Sequence, residues 1–66
     1  MEITVNGIKQ EVPENISILE LIDYCNERDV HLVVEYNSRF VYPNQYETIV
    51  VKEGDTLEFI HPDFGG

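Results

Sequence analysis

At 66 residues the chain has room for one domain and one core, and a domain this small buries only about 60% of the surface its unfolded chain exposes, which leaves little for an enclosed active site. Thirteen acidic against four basic residues give a net charge of −9, so nucleic acid and anionic membrane surfaces are excluded as partners and a protein with a basic docking surface is expected. A hydrophobic content of 42%, with four tyrosines and three phenylalanines spread along the chain, argues against disorder despite the acidity.

Ile3 and Val5 alternate with Glu2, Thr4 and Asn6, and Ile8 and Val12 share one parity beyond Asn6-Gly7. Because Asn-Gly best tolerates the positive φ angles of a tight turn, this stretch predicts a β-hairpin. Pro13-Glu14-Asn15 interrupts the strand pattern, and Ser17-Ile18-Leu19-Glu20 then fits a capping box that starts a helix. Ile18, Leu21, Ile22 and Cys25 fall on one stripe while Leu19, Glu20, Asp23 and Glu27 point away, and the pattern fades near Arg28-Asp29, which predicts about three turns.

Leu32 to Tyr36 is rich in strand formers, Asn37-Ser38 signals a turn, and Phe40-Val41-Tyr42 reads as a short fourth strand ended by Pro43. Asn44 to Val51 is open between a strand and a packed loop. Glu53-Gly54-Asp55 is a turn, and Thr56 to Ile60 alternates as the last strand. Beyond it, Pro62 cannot continue a ladder and Gly65-Gly66 have no side chains to pack. A folded domain over residues 1–61 and an exposed, flexible tail over 62–66 are expected.

One helix must then cover one face of a mixed sheet of four or five strands. An α+β, β-grasp (ubiquitin-like) architecture meets this order. A ferredoxin-like fold would need a second helix, for which only the short, β-branched stretch from Asn44 to Val51 is available.

No Gly-rich phosphate loop, no Ser/His/Asp set and no spaced metal-ligand cluster occurs, so the chain reads as a non-enzyme without cofactor or metal. The lone Cys25 excludes an internal disulfide and sits on the apolar stripe, as a structural residue does. His31 and His61 read as solvated strand-end histidines. Tyr36, Phe40, Tyr42 and Tyr46 divide by parity between the core and the open face of the sheet, where the outward ones are candidates for partner binding. No apolar run approaches the roughly 20 residues a membrane helix needs, and Met1-Glu2 lacks the features of a signal peptide, so a cytoplasmic protein is expected.

The terminal Gly65-Gly66 is the feature most open to chemistry. Two glycines extend a carboxylate on a thin stem that threads a narrow channel, and an adenylated carboxylate becomes a mixed anhydride open to sulfur or amine nucleophiles. Joined to Ile3-Thr4-Val5-Asn6-Gly7, Ser17-Ile18-Leu19-Glu20-Leu21-Ile22, Asn37 with Val41, and Gly54-Asp55, this ending resembles the ThiS family of sulfur-carrier proteins over essentially the whole chain. A more distant similarity is to the usually longer MoaD proteins.

The resemblance implies that an E1-like enzyme of the ThiF or MoeB type adenylates Gly66. A persulfide donor then replaces AMP to leave a thiocarboxylate, and thiazole synthase of the ThiG type, or another acceptor, takes the sulfur. Gly66 would bear the intermediate and Gly65 would supply clearance, with Phe64 and Tyr42 as candidate docking residues. Two departures stand out. Family members often carry Val-Pro after the third strand, where Tyr42 here separates Val41 from Pro43, and His61-Pro62-Asp63-Phe64 replaces the usual small or aliphatic residues before the glycines. Carriers for molybdopterin, cysteine or methionine pathways, a lysine-linked protein modifier and a non-covalent interaction module are the alternatives.

Overall fold

The computed structural model describes residues 1–62. Glu2–Val5 (β1) and Ile8–Glu11 (β2) form the expected hairpin, with Asn6 at φ 50° and Gly7 at φ 80° making the tight turn. Both angles lie in the left-handed region, which is why Asn-Gly occupies the turn. Val5 pairs with Ile8, so Ile8 shares the core-facing side with Val12, yet it is 65% exposed because it stands at the hairpin tip beyond the cover of the helix.

The helix Ile18–Tyr24 (α1) begins at the capping box read from the sequence. The Ser17 Oγ accepts the Glu20 amide at 3.1 Å while the Ser17 amide donates to Glu20 Oε1 at 2.9 Å, which satisfies two of the orphan donors of the first turn. The Ser17 amide, and after it the Ser17 hydroxyl, also hold the Glu20 carboxyl below its ordinary value. Ile18 and Leu21 are fully buried, with Ile22 and Cys25 half-buried beside them.

At seven residues α1 is about two turns long, one fewer than the periodicity suggests. Asn26 adopts φ 60°, and the Asn26 amide donates to Asp23 O at 2.9 Å while Glu27 N reaches Ile22 O at 3.0 Å. This pair of bonds is a Schellman motif, and it stops the helix before the apolar stripe has faded.

Val33–Tyr36 (β3) and Arg39–Val41 (β4) follow, joined by Asn37 and Ser38 at φ 50° and 70°. The two-residue turn places Arg39 opposite Tyr36, so β4 begins and ends one residue earlier than the sequence pattern suggests. Tyr42 instead gives its amide to Gln45 Oε1 at 2.9 Å as the chain enters a 3₁₀ turn at Pro43–Gln45. The ambiguous stretch up to Val51 is a packed loop. It joins the N-terminal side of α1 by one isolated bridge between Ser17 and Val50, and the Val51 amide donates to Ile16 O at 2.8 Å.

The last strand, Thr56–Ile60 (β5), lies where the alternation puts it. Among the described residues the sheet has five strands in the order β2-β1-β5-β3-β4, with β5 parallel to β1 and every other pairing antiparallel. Ile3, Val5, Val34, Val41, Leu57 and Phe59 turn one face of this sheet toward α1 and form the core with Ile18 and Leu21. This is a β-grasp fold: one helix on a mixed sheet whose central strand is the last.

Candidate functional site

Because β5 is the central strand, it carries the chain out of the sheet between better-anchored neighbours. It outruns β1, whose pairing with it covers only Thr4 with Thr56 and Val5 with Leu57. The Asn6 side chain takes over there, its Oδ1 accepting the Phe59 amide at 2.7 Å. On the other side Ile60 still pairs with Val33, and His61 and Pro62 follow immediately.

His61 meets the loop that follows α1. Its Nε2 lies 2.9 Å from Glu27 Oε2 and its Nδ1 3.2 Å from Asp29 Oδ2. The other Asp29 oxygen accepts the His31 amide at 2.8 Å. That amide, followed by the His61 ring, holds the Asp29 carboxyl below the usual carboxylate range. Since the two carboxylates sit on opposite ring nitrogens they do not converge on a point. Among the described residues no cluster of His, Cys, Asp or Glu could hold a metal ion.

The open face of the sheet, opposite α1, carries an apolar patch at this same end. Val33, Phe40, Tyr42 and Ile60 alternate out of phase with the buried Val34, Val41 and Phe59, so the pleat puts all four on the open side. Phe40 is 51% and Tyr42 61% exposed, and their rings meet edge to face with centroids 4.7 Å apart. An aromatic pair held in a fixed geometry and left in water is suited to fill a partner's pocket. Glu35 lies opposite both Phe40 and Glu58, so two carboxylates face each other across adjacent strands beside the patch. Like charges in that register are destabilising, and a basic partner surface would relieve them.

The opposite side of the sheet, at the tip of the hairpin and the end of α1, forms a shallow groove lined by Ile8, Tyr24, Cys25 and Glu27. The Cys25 thiol there is pushed up by desolvation and then by the Glu27 carboxylate, which disfavours the nucleophilic thiolate.

The ThiS family matches residues 1–66, the whole chain. The chain belongs to the ThiS family. A crystal structure of the thiamine biosynthesis protein (ThiS) from Geobacter metallireducens is similar at a TM-score of 0.89 and 29% identity, covering 100% of both chains. A solution structure of a thiamine biosynthesis protein from the same organism gives 0.85 at 29% identity, covering 100% of this chain and 88% of that one. No curated protein matches the chain.

Of the site residues expected for a ThiS-like chain, Phe64, Gly65 and Gly66 lie outside the described residues. Tyr42 is placed on the open face, and Phe40 and Ile60, which no motif singles out, are placed with it. His61 is the exposed strand-end histidine expected from the sequence, and beyond that expectation its two ring nitrogens lie within hydrogen-bond reach of Glu27 and Asp29. Nothing local announces those pairs, because Glu27 and Asp29 are more than thirty residues away in sequence. Among the described residues no helix is long and apolar enough to cross a membrane.

Proposed function

We propose that this chain is a sulfur carrier of thiamine biosynthesis whose working group is the Gly66 carboxylate. Membership of the ThiS family over the whole chain is the observation that supports this reading most strongly. Residues 1–61 act as the docking body and 62–66 as the working tail. Four residues follow Pro62, and a chain of that length spans at most about 14 Å, enough to reach into a partner's active site from a body that stays outside it.

In the proposed reaction a Gly66 carboxylate oxygen attacks the α-phosphorus of ATP on an E1-like adenylating enzyme, forming the acyl adenylate and releasing pyrophosphate. The terminal sulfur of a donor persulfide then attacks the acyl carbon and AMP leaves with the bonding pair. A second thiol reduces the resulting acyl disulfide, which frees the thiocarboxylate and leaves the donor side as a disulfide. The carrier is a co-substrate: its own side chains supply recognition, while Gly65 keeps the approach to the acyl carbon free of a Cβ.

For recognition, Val33, Phe40, Tyr42 and Ile60 form the apolar centre of the docking surface and Glu35 and Glu58 its acidic flank, matched to basic residues on the adenylating enzyme and on thiazole synthase. Phe64 is a further candidate anchor, close to the reacting end.

The test is delivery of sulfur. With the adenylating enzyme, ATP, a persulfide donor and thiazole synthase, the full chain supports thiazole formation and a chain shortened by Gly66 does not. Equal product from both chains would refute a role for the terminal carboxylate.

A further inference from the structure

The chain end leaves the fold from a fixed root. Each ring nitrogen of His61 faces its own carboxylate oxygen, Nε2 at 2.9 Å from Glu27 and Nδ1 at 3.2 Å from Asp29. A neutral imidazole carries one N–H, so it can satisfy one of these oxygens and must turn a lone pair toward the other. An imidazolium donates to both, and such bonds are the stronger, charge-assisted kind. The arrangement is therefore complete only with the ring protonated.

The far side of this clamp is itself held. Glu27 is the residue whose amide closes the Schellman motif on Ile22, and Asp29 is fixed by the His31 amide at 2.8 Å. Arg28, between them, turns away to Asp23 at 3.2 Å, and the nearby Cys25 thiol is protonated. The His31 ring acts on Asp29 through its charge. The groups that face the His61 ring directly are thus the two carboxylates. Pro62 adds a covalent restraint, because the residue before a proline is driven to extended backbone.

We infer that His61 is a positioning residue for the carrier reaction: with Glu27 and Asp29 it sets the point and direction from which residues 62–66 leave the fold. This rests on the carrier reading, since it matters only if the chain end must enter a partner. Four residues follow Pro62 in the sequence and six follow Ile60, so opening the clamp lengthens by two the stretch between the last held residue and Gly66. The effective concentration of a flexible end falls roughly as the −3/2 power of segment length, so length alone costs about twofold, and the lost direction adds to it. A rise of about two- to fourfold in KM of the adenylating enzyme for the carrier is expected, at unchanged kcat.

The experiment uses the full chain, wild type and with His61→Ala, His61→Lys, or Glu27→Gln with Asp29→Asn. Two quantities are read: the backbone order of the amide at position 61 by ¹⁵N relaxation, and KM and kcat for adenylation. The wild type gives high amide order and the lower KM. His61→Ala and the double variant give low order and raised KM at unchanged kcat, whereas His61→Lys, which keeps a cation facing the two carboxylates, restores both.

Unchanged order and KM in His61→Ala would overturn the inference, as would failure of His61→Lys to restore either. If no chain is adenylated, the carrier reading fails while the amide order still decides whether the clamp exists.

Discussion

The two ends of this small fold are built differently. At the end where α1 starts, polar groups are paired and the core residues Ile18 and Val51 are covered, with Leu19 and Val50 left exposed. The Ser17–Glu20 capping box closes the helix, Ile18 N and Val51 N tie it to the neighbouring loop at 2.9 and 2.8 Å, and Asp55 gathers the Tyr36 hydroxyl, the Asn37 amide group and the Lys52 backbone amide. At the end where β5 delivers the chain, Phe40, Tyr42 and Ile60 are exposed on one face, with Ile8 and Tyr24 on the other. A 66-residue domain has little apolar surface to leave in water, and the larger share of what it does expose, Ile8, Tyr24, Phe40, Tyr42 and Ile60, lies at the β5 exit, where the proposed function puts the docking surface. On that proposal, stability resides mainly at one end and recognition at the other.

Substitutions that break the first end should unfold the protein without touching recognition. Leu21→Ala opens a cavity at a fully buried position and is expected to cost about 2–5 kcal/mol. A domain of this size holds only about 3–10 kcal/mol in total. A urea melt will show the midpoint falling in proportion, by about half at the middle of both ranges.

Asp55→Ala is next, at about 2–3 kcal/mol, because it removes a charged acceptor from three donors at once. Desolvation pushes the Asp55 carboxyl up, but the Tyr36 hydroxyl, the Lys52 amide and Asn37 together hold it below its ordinary value. With the folded carboxyl depressed, this stabilisation is present above the ordinary carboxylate range and is lost as pH falls through it. Tyr36 has the opposite limb. Desolvation and then Asp55 raise its phenol from 10.0 to about 12, so its contribution is intact below pH 10 and is lost as pH climbs toward 12. Thermal melts across pH should show both limbs, and Tyr36→Phe should flatten the alkaline one.

Substitutions at the second end should do the reverse. Phe40→Thr with Tyr42→Thr keeps strand-forming residues at exposed positions, and is expected to leave the urea midpoint nearly unchanged while weakening binding to the adenylating enzyme about tenfold or more by calorimetry. Equal loss of stability and binding would erase the division between the two ends. The smallest effect is expected at Cys25, half-buried at the end of α1. Cys25→Ser should cost about 1 kcal/mol and leave sulfur transfer intact, and loss of transfer in a fully folded variant would show that the thiol takes part.

What the sequence discloses follows the distance over which each feature is encoded. The hairpin turn at Asn6-Gly7 and the capping box at Ser17 and Glu20 are legible because their bonds close within three residues. The helix end is not, since Asn26 in the left-handed region is a weaker signal than a glycine there would be. Parity puts Phe40 and Tyr42 on one face, but which face is open is decided only when α1 is laid on the other. The ion pairs of His61 depend on β5 ending level with the α1–β3 loop, a coincidence of element lengths that no local pattern carries. The working end itself was read from Gly65-Gly66 and the family resemblance, and those residues lie beyond the described part of the fold.

The central claim concerns Gly66, and intact mass tests it most directly. The purified protein is incubated with ATP, its cognate adenylating enzyme and a persulfide donor, then weighed and its C-terminal peptide sequenced. A gain equal to exchange of one oxygen for one sulfur, located on that peptide, is the result the account predicts. An unchanged mass with the adenylating enzyme shown to be active, or an adduct to lysine in place of the thiocarboxylate, would contradict it.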